Sequence, residues 1–107
     1  MKTDTSDTIK DIFDETLMLN EEPPLYYLYL LGKEVKGEFI VGVLERFFYM
    51  MRENAIKTAL VIRKEGKSKC GFYTKEVAEM KMQQINDFVN QQKQNLQCIM
   101  KKETDEL

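Results

Sequence analysis

Gly66–Met82, GKSKCGFYTKEVAEMKM, changes from strand chemistry to helix chemistry at Thr74, and that change decides the fold class. Before it, Cys70 and Phe72 alternate with Lys69, Gly71 and Tyr73, the period-two pattern of a half-buried strand. Strict alternation puts Cys70 and Phe72 on one face and the other three residues on the opposite one. Thr74 suits a helix N-cap, its hydroxyl accepting from the amide two or three residues on, while Glu76 and Glu79 bring negative charge to the positive end of the helix dipole. From there Val77, Ala78, Met82, Ile85, Phe88 and Val89 recur at helical spacing. Glu76, Glu79, Lys81, Gln83 and Asn90 are left for the other face.

Working towards the N-terminus, a helix over 53–65 has Ile56, Ala59, Leu60 and Arg63 on one stripe, with Gly66 as its C-cap. A helix over 38–51 has Ile40, Val43, Leu44, Phe47, Phe48 and Met51 on one stripe. Gly42 is tolerated within it at a cost of about 1 kcal/mol relative to Ala. Residues 32–37 read as a turn. Leu25 to Leu31 is a β-prone aromatic run, apolar on both faces, and therefore covered by helices on one side at least. Towards the C-terminus, Leu96, Cys98 and Met100 alternate with Gln97, Ile99 and Lys101 as a last strand. The order β-α-α-β-α-β predicts an α+β two-layer sandwich, a three-stranded antiparallel sheet with three helices on one face. Met50, Met51, Met80 and Met82 fall in or beside the helical stripes and read as core fillers.

Residues 1–22 form an acidic, polar extension, stiffly ended by Pro23-Pro24, and are expected to be mobile. Their one structure-forming feature is the sparse stripe Ile9, Ile12, Phe13, Leu17 and Met18. Residues 23–104 are expected to form the single domain and 105–107 a short tail.

Composition narrows the function classes. With 107 residues, 43% of them hydrophobic, there is material for one core and not two. Sixteen basic against 18 acidic residues give no overall field for DNA or RNA, so no nucleic-acid partner is expected. No apolar run approaches the roughly 20 residues of a membrane span, and the Thr- and Asp-rich start is unlike a secretory signal. A cytoplasmic protein without a membrane partner is the expectation. Histidine is absent, which excludes Ser-His and Cys-His nucleophile pairs and every His-containing zinc site. The five glycines form no phosphate-binding fingerprint. Cys70 and Cys98 stand far apart with no CxxC, and read as packed, reduced strand residues instead of a metal or redox pair. Neither enzymatic activity nor a cofactor is expected.

The ordered series Pro23-Pro24, Tyr26 to Leu31, Glu38-Phe39, Val43-Leu44, Arg46-Phe47-Phe48, Ala55, Gly66-Lys67, Cys70-Gly71, Thr74, Glu76-Val77-Ala78-Glu79, Lys81, Leu96 and Cys98 resembles the ClpS family. These are small adaptors that deliver proteins bearing an N-terminal degradation signal, under the N-end rule, to a Clp-type AAA+ ATPase and its protease. The resemblance implies the same sandwich. It also implies that the ATPase engages the N-terminal extension, and that a Glu just after the capping Thr and a Lys five residues later dock on the ATPase's N-terminal domain. Glu76 and Lys81 occupy those places, with Glu79 between them.

The substrate pocket departs from the family's pattern. In ClpS adaptors an Asn-Asp-Asp run after the first strand and a His on the second helix hold the α-ammonium of the signal, and a Thr-Pro-Met stretch walls the side-chain pocket. Here the loop reads Gly32-Lys33-Glu34-Val35-Lys36-Gly37, one residue shorter, and Arg63 stands in the place of the His. Lys and Arg are pure donors and offer an ammonium no lone pair. Two like charges 4 Å apart repel by about 4 kcal/mol at an effective dielectric of 20, a loss of several orders of magnitude in affinity if unscreened. Glu34 offsets part of this. Gly37 and Ala59 replace the family's Met residues, while Ile40, Ile62 and Leu96 stay apolar, so a wider pocket is expected. The chain therefore reads as a divergent adaptor whose degradation-signal recognition is lost or re-tuned. The alternatives are an interaction module on a ribosomal-stalk-like fold, unrelated to Clp, or a blocker of other Clp adaptors.

Overall fold

The computed structural model describes residues 24–103, so the expectations for 1–22 and for the C-terminal tail lie outside the described residues. Strand β1 (Leu25–Leu31) is central, flanked by β2 (Lys67–Thr74) and β3 (Gln97–Lys102), both antiparallel to it. Between β1 and β2 run helices α1 (Gly37–Phe48) and α2 (Arg52–Glu65), and α3 (Lys75–Gln91) joins β2 to β3. The predicted order and sandwich are those observed. Leu28 and Leu30 of β1 are wholly buried against Ile40, Val43 and Leu44 of α1, Ala55, Ala59 and Ile62 of α2, and Ala78, Ile85 and Val89 of α3. Burying each of the larger side chains contributes about 1.5–3 kcal/mol, so this one cluster holds the two layers together.

Of two punctuating residues, one behaves as its chemistry requires and one does so only in part. Gly66 closes α2 in the left-handed region (φ 95°), where its N–H donates to the Ile62 carbonyl at 2.7 Å. Thr74 stands at the N-cap of α3 in extended geometry, but its hydroxyl makes no capping hydrogen bond. The expectation of a side-chain cap is corrected in that respect.

The strand parity at β2 also needs correction. Leu28 pairs with Gly71 and Tyr29 with Lys69, so Cys70 is an extra residue in a β-bulge. The bulge shifts the phase of the strand by one. Cys70 and Tyr73 pack against the core, whereas Phe72 is 57% exposed and shares the outer face with Lys69. Cys98 is buried in β3 and Cys70 half-buried in β2, both as free thiols. Burial pushes each thiol up to about 12 from 9.0, so neither forms a thiolate near neutrality.

Two helical stripes are rotated from their sequence reading. On α2 the buried residues are Ala55, Ala59 and Ile62, while Ile56 and Leu60 face outwards. Helix α1 ends at Phe48, and Met51 is the exposed N-cap residue of α2 instead of the last member of the α1 stripe. Met50 and Met82 do pack against the core; Met51 and Met80 do not. The α1–α2 corner is tight because Tyr49 adopts a left-handed conformation (φ 55°) and its N–H donates to the Leu44 carbonyl. The outer edge of β3 is occupied by a side chain: Asn86 Nδ2 donates to the Cys98 carbonyl at 3.0 Å, and the Cys98 N–H donates to Asn86 Oδ1 at 2.9 Å. One amide there satisfies both outward backbone groups of Cys98 on this edge strand.

Candidate functional site

Two surfaces carry the residues expected to act. The first is the turn between β1 and α1. Gly32 opens it, with the Gly32 N–H donating to the Gly66 carbonyl and the Val35 N–H to the Gly32 carbonyl at 3.1 Å. A Cβ on Gly32 would stand 2.6 Å from Leu96 Cδ1 and 3.0 Å from Val35 Cγ2, so only glycine lets those two side chains close over the end of the sheet. Val35 and Leu96 are thereby buried, and Lys33, Glu34 and Lys36 are pushed out to solvent. Arg63 reaches across from α2 to Gly37 at the start of α1. A Cβ there would lie 3.7 Å from the Cδ and Nη1 atoms of Arg63.

The residues expected to wall the side-chain pocket pack into the core. Ile40 and Ile62 are wholly buried, Ala59 and Leu96 nearly so, and all four belong to the core cluster. The turn opens instead onto a cavity of about 390 Å³ lined by Glu34, Val35, Lys36, Lys93, Gln94 and Asn95. A neighbouring cavity of about 360 Å³ continues along Asn86, Asn90, Gln94, Asn95, Leu96 and Gln97. One carboxylate, two ammonium groups and a row of amides therefore border the groove, a donor-rich lining suited to carbonyls and carboxylates. Lys93 to Asn95 were missed because they sit in the α3–β3 turn, with Lys93 left-handed (φ 57°). Local patterning reads such residues only as linker.

The second surface is the seam between α3 and the end of α1. Glu76 and Glu79 are exposed on α3, with Val77 and Met80 partly exposed beside them. Lys81 is set back: its Nζ donates to the Phe47 carbonyl at 2.9 Å and lies 5.0 Å from the Tyr49 ring centre and 5.4 Å from that of Tyr73. A helix leaves its last carbonyls unpaired and its C-terminal end negative, so an ammonium at Phe47 is favourable on both counts. The sequence places Lys81 on the solvated face, whereas it also pins α3 to α1. Tyr49, 80% exposed, stands across the seam. Nearby, Arg46 stacks on the Phe88 ring at 4.7 Å and Phe88 on Phe39 at 5.8 Å, fixing the two helices side by side.

Among the described residues there is no group of three or more His, Cys, Asp or Glu arranged to hold a metal, and no helix long and apolar enough to cross a membrane.

Comparison with known proteins identifies this arrangement. Residues 21–99 match the family described as "ATP-dependent Clp protease adaptor protein ClpS". The chain belongs to the ClpS family. The ClpS adapter of Hyphomonas neptunium is 40% identical over 94 residues, covering 87% of this chain and 80% of that one. ClpS 1 of Agrobacterium fabrum is 41% identical over 83 residues, or 77% and 71% of the two chains. A solved structure of Agrobacterium tumefaciens ClpS2 bound to L-phenylalaninamide superimposes with a TM-score of 0.72 at 22% identity, covering 77% of this chain and all of that one, a likeness of fold. The protein is thus a ClpS adaptor of the Clp protease, a family that partners Clp ATPases and protein substrates. The reading as an interaction module unrelated to Clp gives way to this finding.

Proposed function

We propose that this ClpS protein is a non-catalytic, cytoplasmic adaptor that docks on the N-terminal domain of a Clp-type ATPase and presents substrates whose recognised end is not a free α-ammonium. Docking is assigned to Glu76 and Glu79, with Lys81 and Tyr49 at the seam, a mixed charged and apolar surface suited to a steered, salt-sensitive interface. The observation that carries the substrate half is the rim of the β1–α1 turn. Lys33, Glu34 and Lys36 are exposed on the turn, Arg63 reaches Gly37 at its end, and the cavity that Glu34 and Lys36 line adds Lys93 and amides. Because Arg63 is exposed, water screens it, and the repulsion of an incoming ammonium falls well below the unscreened 4 kcal/mol. What remains is a preference for neutral or acidic ends, such as a blocked N-terminus or a carboxylate.

Titration with end-modified peptides tests this reading. L-phenylalaninamide, the ligand bound by the ClpS2 relative, carries a free ammonium on an aromatic residue. It is expected to bind at least tenfold more weakly than the N-acetylated form of the best peptide found on an array. Tight binding confined to free N-terminal Phe, Leu, Trp or Tyr, and abolished by Glu34→Gln, would establish ordinary degradation-signal recognition and refute the re-tuning.

A further inference from the structure

The face of the sheet turned away from the helices is both aromatic and basic. Register places Phe72 and Lys101 on either side of Tyr27, Lys69 and Ile99 on either side of Tyr29, and Lys67 beside Leu31. The Tyr27 ring lies 5.6 Å from that of Phe72, and the Lys69 Nζ stands 4.3 Å from the Tyr27 ring centre. The bulge at Cys70 turns Phe72 to this side. The three strands contain four lysines and no acidic residue, and three of the four lie on this outer face.

We propose that residues 1–22 of the same chain dock on this face. Those residues hold seven carboxylates (Asp4, Asp7, Asp11, Asp14, Glu15, Glu21 and Glu22) against two lysines. The remaining residues then carry 14 basic and 11 acidic side chains, so the near-neutral chain is an acidic segment joined to a basic body. Ile9, Ile12, Phe13 and Leu17 recur at helical spacing with Asp7, Asp11, Asp14 and Glu15 beside them. The segment's carboxylates complement the ammonium groups of this face, and its apolar residues complement the rings. The dimensions agree. Twenty-two residues at up to about 3.3 Å each outreach the roughly 23 Å of seven strand residues. The segment enters at Leu25, two residues from Tyr27, and has length to fold back. Tethering also supplies an effective concentration in the millimolar range. A second copy of the chain would instead set the same lysines against one another. Docking withholds the segment from any partner that reads it, and high salt or a competing polyanion releases it. This inference does not rest on the substrate preference proposed above.

The test is NMR on the full chain at low ionic strength. Expected are nuclear Overhauser contacts from the Ile9, Ile12 and Leu17 methyls to the Tyr27 and Phe72 rings, unchanged on dilution. They are expected to weaken near 1 M salt, where the screening length is about 3 Å, and to vanish in Lys67→Glu, Lys69→Glu, Lys101→Glu protein whose Leu28 and Ile85 resonances stay native. If that variant unfolds, Asp7→Asn, Asp11→Asn, Asp14→Asn protein, which leaves the sheet untouched, is expected to lose the same contacts. Absence of the contacts in the wild type overturns the proposal. So does their disappearance on dilution, which would assign the face to a second copy.

Discussion

Lys81 and Lys36 are the same residue type in two different settings, and the contrast separates what holds this adaptor together from what it presents. Lys81 is drawn into the α1–α3 seam, where a helix carbonyl and two rings surround its ammonium. Lys36 stands exposed beside an open, polar cavity. A charge in the seam belongs to the frame and is costly to remove. One at the rim is nearly free to vary, and so can set specificity without endangering the fold. On the proposed reading, Lys33, Lys36 and Arg63 alter the turn without endangering the sandwich.

The contrast can be broken most forcefully from the dry side. The Cys70 and Cys98 thiols sit at about 12 in the fold and near 9.0 when exposed, so the folded chain holds their protons more tightly. Their contribution to stability is complete below about pH 9 and is lost as the pH rises towards 12. Denaturant midpoints measured from pH 7 to 11 are expected to be flat at first and then to fall. Next in size, Gly32→Ala drives a methyl into Leu96 and Val35 and is expected to cost about 1–3 kcal/mol in chemical unfolding, because the turn is closed by packing. Lys81→Met removes the hydrogen bond to Phe47 and is expected to lower stability by about 1–2 kcal/mol, whereas Glu76→Ala with Glu79→Ala stays within about 0.5 kcal/mol. Equal costs for the two would erase the distinction between seam and surface. Smallest is the rim: Lys36→Gln and Arg63→Gln are expected to leave the thermal midpoint unchanged and each to raise affinity for L-phenylalaninamide about two- to fivefold, the range of exposed charge interactions.

Local chemistry made much of this legible. Strand β1 runs from Leu25 to Leu31 as its aromatic, apolar run suggests, and Gly66 ends α2 where a left-handed residue is needed. What escaped the sequence reading depends on phase or on distant partners. Counting by twos through Cys70 cannot register the extra residue of a bulge, so Phe72 was given the wrong face. Helix α2 is apolar on two sides, and periodicity alone chose Ile56 and Leu60 over Ala55 and Ile62. The partner of Lys81 lies 34 residues away, which no helical pattern encodes. At the turn the sequence showed Lys33, Lys36 and Arg63 where the resemblance implied acidic groups and a histidine, but not that Val35 and Leu96 would close over Gly32 and leave the groove to Lys93, Gln94 and Asn95.

The central claim is that this chain keeps a working ATPase-docking face on α3 beside an altered turn. Calorimetric titration against the isolated N-terminal domain of its own Clp ATPase tests it most directly, with Glu76→Ala, Glu79→Ala protein alongside, since that variant spares the Lys81 bond to Phe47. The account predicts that the wild type binds, that affinity falls with added salt, and that the variant loses at least tenfold. No binding by a folded wild type, or equal binding by the two, would contradict it and leave the α3 charges as solvated surface.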